Sequence, residues 1–189
     1  MWPLSLTSVV SLTVVLERLY FVAETALKRQ PKVVERILTS VERGNIDDAI
    51  DTGERSQDFV AKVLVEGLKQ RSRSLSSALL RASNHELKQF NQGLSVLDTV
   101  ITLAPLLGLL GTVTGMIRAF GLLGGRELDA PSVITGGIAE ALIATAFGLG
   151  IAIVALIPFN YLNARLEEAR HELENTTTHL ELLLNAERP

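Results

Sequence analysis

From Ile134 to Phe159 the chain is apolar except for one ionisable side chain, Glu140. A run of this length suffices for a membrane crossing, which takes about 20 helical residues at roughly 1.5 Å each. An acid at the centre of a spanning helix costs on the order of 3 kcal/mol on insertion scales, so such residues face a bundle interior or a wet path and often carry protons. Glu140 is therefore a candidate proton-handling group. Its structural alternative is a buried acid kept neutral and bonded to a facing helix.

Two further stretches qualify as spans, Trp2 to Leu16 and Thr102 to Leu123, beside the third from Val133 to Phe159. With 47% hydrophobic residues and 21% charged ones, the chain is too apolar for an ordinary soluble domain and too charged to lie wholly in a membrane. The first span is the weakest, being short and carrying Ser5, Thr7, Ser8, Ser11 and Thr13. No basic segment precedes it and no small-x-small site separates it from Glu17 and Arg18, so a cleaved signal is not expected. Arg18, Lys28, Arg29, Lys32 and Arg36 follow the first span and Arg165 follows the third, whereas the loop from Gly124 to Pro131 mixes Arg126 with Glu127 and Asp129. Basic flanks stay on the cytoplasmic side. The N-terminus is thus expected outside and the C-terminus in the cytoplasm.

The expected fold is all-α: an integral membrane protein with three transmembrane helices and a helical cytoplasmic domain, its long helices extending from the membrane into the cytoplasm. The divisions are 1–27 for the first transmembrane helix and its cytoplasmic end, 28–98 for the cytoplasmic domain and 99–123 for the second transmembrane helix. An outer loop at 124–132, a third transmembrane helix at 133–161 and a cytoplasmic C-terminal helix at 162–189 complete the plan.

In the cytoplasmic part, Val34, Ile37, Leu38 and Val41 repeat at helical spacing between Pro31, suited to a first turn, and Gly44, suited to a stop. Asn45 is placed to cap the next helix, which Thr52 and Gly53 break. Phe59, Val60, Val63, Leu64 and Leu68 mark another. From Ser74 a run through Leu75, Leu79, Leu87, Phe90, Leu94 and Leu97 leads into the second span, predicting one long helix that Pro105 bends or loosens. Leu162, Leu166, Ala169, Leu173, Leu180 and Leu184 extend the third span in the same way, with Pro158 at the junction.

Gly108, Gly111 and Gly115 in the second span, and Gly136, Ala144, Gly148 and Ala152 in the third, are small residues at helix-packing spacing. Such seams bring membrane helices together by close backbone contact. Two glycine-rich faces and an acid needing shelter argue for several copies around a shared axis. Thr112 and Thr145 offer hydroxyls to a water file or a partner helix, although a helical threonine commonly bonds its own preceding turn. Glu140 and Thr145 stand roughly 140° apart around a helix, so they serve different neighbours.

The function classes excluded are broad. A net charge of −3 with interspersed signs gives no footprint for nucleic acid, and the absence of cysteine removes disulfides and thiolate chemistry. The glycines of 108–115 lack the lysine of a phosphate loop, and His85, His171 and His179 form no ligand cluster. No catalytic constellation is present; neither an enzyme nor a bound metal or cofactor is expected.

The segment APLLGLLGTVTGMIRAF, Ala104 to Phe120, followed by ITGGIAEALIATAFGLGIAIVALIPFNYL, Ile134 to Leu162, resembles the ExbB/TolQ family of bacterial inner-membrane motor subunits, within the MotA/TolQ/ExbB proton channels. The resemblance extends through topology to ERLYF, Glu17 to Phe21, at the end of the first span. It implies a homo-oligomeric ring, generally a pentamer, around the spans of an ExbD- or TolR-like partner that bears a membrane aspartate. Proton motive force would then do work on a TonB-like protein that opens outer-membrane transporters for nutrient import. By the same resemblance Thr112 and Thr145 match channel-lining hydroxyls, Glu140 matches the membrane glutamate, and the transported ion is H+. The ExbB branch is preferred over a TolQ-like subunit for envelope integrity; a passive membrane scaffold is the rival of another class. The flagellar stator subunit, with four spans, does not match.

Overall fold

The computed structural model describes residues 2–121 and 131–186, with side chains at 2–121 and 135–185. Among the described residues there are seven α-helices and no strands: α1 (Trp2–Leu27), α2 (Pro31–Glu42), α3 (Ile46–Glu54), α4 (Phe59–Lys69), α5 (Arg71–Asn91), α6 (Leu94–Gly121) and α7 (Pro131–Ala186). Leu123 and residues 124–130 of the expected outer loop, with Arg126, Glu127 and Asp129, lie outside the described residues, while Pro131 and Ser132, expected in that loop, open α7. Three helical stretches, Trp2–Leu27, one within Arg71–Gly121 and one within Thr135–Asn185, are long and apolar enough to cross a membrane. The protein is an all-α membrane protein. At most 22% of any such window is buried by the rest of the chain, so lipid or other subunits must cover what remains.

The contacts divide the chain into two compact units, residues 1–19 with 93–161, and residues 20–92 with 162–189. The first unit holds most of α1, all of α6 and the first part of α7. On α1 its buried residues are Leu4, Ser11 and Arg18, spaced by sevens along one line. The opposite side exposes Trp2, Leu6, Val9 and Leu16, as lipid-facing or subunit-facing residues do.

The second unit is a small helical domain with its own core. Proline at the start of α2 loses no needed hydrogen bond, and Val34, Ile37 and Val41 turn inward. The chain then reverses at Gly44, whose φ of 75° suits glycine. Asn45 does occupy the cap position of α3, but its side chain makes no capping hydrogen bond. Gly53 does not break α3: it lies buried inside the helix, where a Cβ would stand 2.3 Å from Val65 Cγ2, so it is required by the close approach of α4. Ile37, Val60, Leu64, Leu68, Leu173 and Leu180 are the fully buried centre, drawn from α2, α4 and the C-terminal part of α7.

A polar lock crosses this core. Asp58, 1% exposed, caps α4 by accepting from the Val60 N–H at 2.9 Å, accepts from the Gln30 N–H at 2.6 Å, and pairs with Arg29. Arg29 also donates to Glu172 on α7 and lies 4.8 Å from the centre of the Phe59 ring. Phe59 in turn meets Phe90, and Phe90 meets Phe21, both edge to face. Asp58→Ala leaves Arg29 with Glu172 as its remaining carboxylate partner and strands two backbone donors at once. Removing one partner of a buried ion pair costs about 3–5 kcal/mol, and Arg29 retains some solvent, so a loss of about 3 kcal/mol is expected in urea unfolding.

The single helix expected from Ser74 into the second span is not formed. Ser74 has φ −165° and ψ 95°, a break inside α5, and the chain turns again at Gln92 and Gly93 before α6 begins. Gly93 has φ 76°, and a Cβ there would lie 3.0 Å from Arg18 Cδ and from Val14 Cγ1 of α1. The turn is thus fixed by backbone handedness and by lack of room. Pro105 and Pro158 interrupt neither α6 nor α7.

Candidate functional site in the membrane unit

Helices α6 and α7 run antiparallel in backbone contact, and the glycines report the register. A Cβ on Gly148 would stand 2.5 Å from the Ala104 carbonyl oxygen, and one on Gly108 3.0 Å from the Ala144 carbonyl oxygen. Gly111 faces Ala144, Gly115 faces Ala141, and Gly137 faces Ala119 in the same manner. Toward the other end Val100 and Ala104 pack with Ala155. The α7 side of this seam therefore follows residues 137, 141, 144, 148 and 155, a repeat of alternating threes and fours.

Gly136 is not part of it: among the described residues nothing lies within 4 Å of where its Cβ would be. The expected spacing of four advances 400° per step, about 40° beyond a full turn, so residues grouped by fours drift off a common face. Gly137 takes the place expected of Gly136.

Thr145 sits beside the seam and donates its hydroxyl to the Gly108 carbonyl of the facing helix at 3.0 Å. It ties α7 to α6 rather than closing its own preceding turn. Thr112 does the opposite, donating to the Leu109 carbonyl of its own helix at 2.7 Å. Both oxygens keep lone pairs that can accept from water or from a further chain.

Glu140 is exposed on α7 next to the buried seam residue Ala141, at the level of Gly115. It forms no hydrogen bond or ion pair among the described residues. Leu142, Ile143 and Phe147 around it are exposed as well. Phe147 and Val154, seven and fourteen residues beyond Glu140 and so on nearly the same side of the helix, line a cleft of about 500 Å³ against Ser8, Ser11, Leu12 and Val15 of α1. The structure brings Thr145, Gly108 and Gly148 together; Glu140 hydrogen-bonds to neither threonine. His85, His171 and His179 are all exposed, and no group of acidic or histidine side chains placed to hold a metal occurs among the described residues.

Three apolar helices, two of them a close-packed antiparallel pair, and an acid exposed on one of them define, among the described residues, an integral membrane protein. Residues 54–175 match the profile of the MotA/TolQ/ExbB proton channel family, and the chain belongs to that family. It is 32% identical over 187 residues to a putative biopolymer transport protein, ExbB-like 3, of Synechocystis, covering 96% of this chain and 88% of that one. The ExbB-like 1 protein of Synechocystis is 36% identical over 86% of this chain, and a putative ExbB homolog of Methanothermobacter thermautotrophicus is 31% identical over 84%. The matches span 66% and 57% of those two relatives' own lengths.

Proposed function

We propose that this chain is an ExbB-like subunit of a proton-driven motor in the inner membrane. Several copies form a ring, a pentamer by family resemblance, around an ExbD- or TolR-like single-span subunit carrying a membrane carboxylate. The proton motive force is converted there into work on a TonB-like protein that serves outer-membrane nutrient import. The ExbB-like relatives matched over most of the chain support that branch over a TolQ-like role.

The observation that carries the reading is Glu140: an acid exposed on an apolar span of the isolated chain. An acid on such a surface is costly in hydrocarbon, so in the membrane it faces protein or water supplied by the assembly. The membrane potential, worth about 2.3 kcal/mol per unit charge per 100 mV, supplies the driving force. A proton that neutralises the partner's carboxylate lets it pass the small-residue wall of α6 and α7, while Thr112 and Thr145 offer oxygens to the water it meets. The basic flanks of the spans support a cytoplasmic place for the helical residues 20–92 and 162–189 and an outside N-terminus.

The test is reconstitution. The chain, with and without a co-expressed single-span carboxylate-bearing subunit, is placed in vesicles under an imposed potential, and proton uptake is followed with a pH dye. The complex is expected to conduct and the chain alone to remain tight. Equal conduction without the partner overturns the two-subunit path, and no conduction by the complex overturns the motor.

A further inference from the structure

The face of α6 that carries Thr112 also holds polar groups that the proposed path has not used, Asp98 and Thr102. Thr102 and Thr112 each lie about 40° from Asp98, one to either side, on a 3.6-residue helix, and Pro105 falls between Asp98 and Thr112 on the same face. Asp98 and Thr102 are exposed. Thr102 donates to the carbonyls of Asp98 and Thr99 at 3.2 and 3.0 Å, which leaves its oxygen free to accept. Pro105 has no N–H, so the Ile101 carbonyl loses the helical donor it would otherwise have there. The face thus offers in order a carboxylate, a hydroxyl, an under-used carbonyl and a second hydroxyl. Backbone and hydroxyl oxygens of this kind are tolerated at membrane depth where they meet water or protein.

The rise from Asp98 to Gly115, the α6 level that faces Glu140's neighbour Ala141, is about 25 Å at 1.5 Å per residue. That is most of a hydrocarbon thickness of about 30 Å. With the orientation that the basic flanks favour, Asp98 stands at the inner end of the span and Glu140 near the outer end.

We propose that Asp98 is the proton-accepting group at the cytoplasmic mouth of the path, taking the proton delivered along the Thr112, Ile101 carbonyl and Thr102 face and releasing it to water. The step is a transfer of H+ from a hydrated proton to the carboxylate and back to bulk water, with no other bond made or broken. The inference rests on the motor reading.

The test compares Asp98→Asn, Asp98→Glu and wild type, each assembled with the single-span subunit in vesicles under an imposed potential. Asp98→Asn is expected to slow proton flux several-fold without loss of assembly, and Asp98→Glu to restore it. Formate added on the cytoplasmic side, a small diffusible acid, is expected to restore Asp98→Asn. A structural contribution of Asp98 at the start of α6 would not respond to formate. Wild-type flux in Asp98→Asn, or a slowed variant that neither formate nor glutamate restores, overturns this inference and leaves the motor standing. A wild-type complex that passes no protons overturns both.

Discussion

Complexes built from Glu140→Gln chains are expected to assemble at wild-type yield and to pass protons more slowly by on the order of a hundredfold, as loss of a positioned proton-transfer group commonly does. Glutamine keeps the length and the hydrogen-bonding reach of glutamate but cannot titrate. Glu140 has no hydrogen-bond or ion-pair partner among the described residues, so the change removes none there. Assembly is read by size-exclusion chromatography with light scattering, and flux by a vesicle pH dye. An assembled Glu140→Gln ring with full ion-driven flux removes the acid from the path. A variant that fails to assemble instead makes Glu140 a packing residue, as a passive scaffold would require.

The second large effect is structural and depends on position alone. Gly148→Ala places a methyl 2.5 Å from the Ala104 carbonyl oxygen, a backbone atom that moves only if α6 and α7 separate. Overpacking of this kind costs about 1–3 kcal/mol. Gly136→Ala adds the same methyl where nothing among the described residues lies within 4 Å, and alanine is the better helix former by about 1 kcal/mol. Thermal unfolding in detergent is expected to fall for Gly148→Ala and to hold or rise for Gly136→Ala. Equal behaviour of the two variants contradicts the seam as described.

How far the sequence revealed this arrangement varies by element. The three spans, the start of α2 at Pro31 and the inward stripe of α4 are legible because each rests on a local period or a local cap. The break at Gln92 and Gly93 carried a turn signal, glycine after two amides, that the continuing leucine stripe concealed. Asp58 before the apolar run of α4 was a readable cap. Its pairing with Arg29, and Arg29's reach to Glu172 over 143 positions of sequence, was not, since no local rule joins such distant residues. The seam was half legible: the small residues announce close packing, but choosing Gly137 over Gly136 needs the register of the antiparallel pair. Likewise, sequence alone could not separate Thr145, bonded across to Gly108, from Thr112, bonded to its own turn. The direction of a hydroxyl depends on which neighbour stands beside it.

The central claim is that an acid uncovered on the single chain becomes sheltered when copies assemble. Cryo-microscopy of the chain purified with its single-span partner in a lipid nanodisc tests it most directly, through the surroundings of Glu140 in each copy. The account predicts a carboxylate enclosed by neighbouring helices or facing a narrow water-filled axis. Glu140 set among lipid tails, or lying outside the bilayer in bulk solvent, would contradict it.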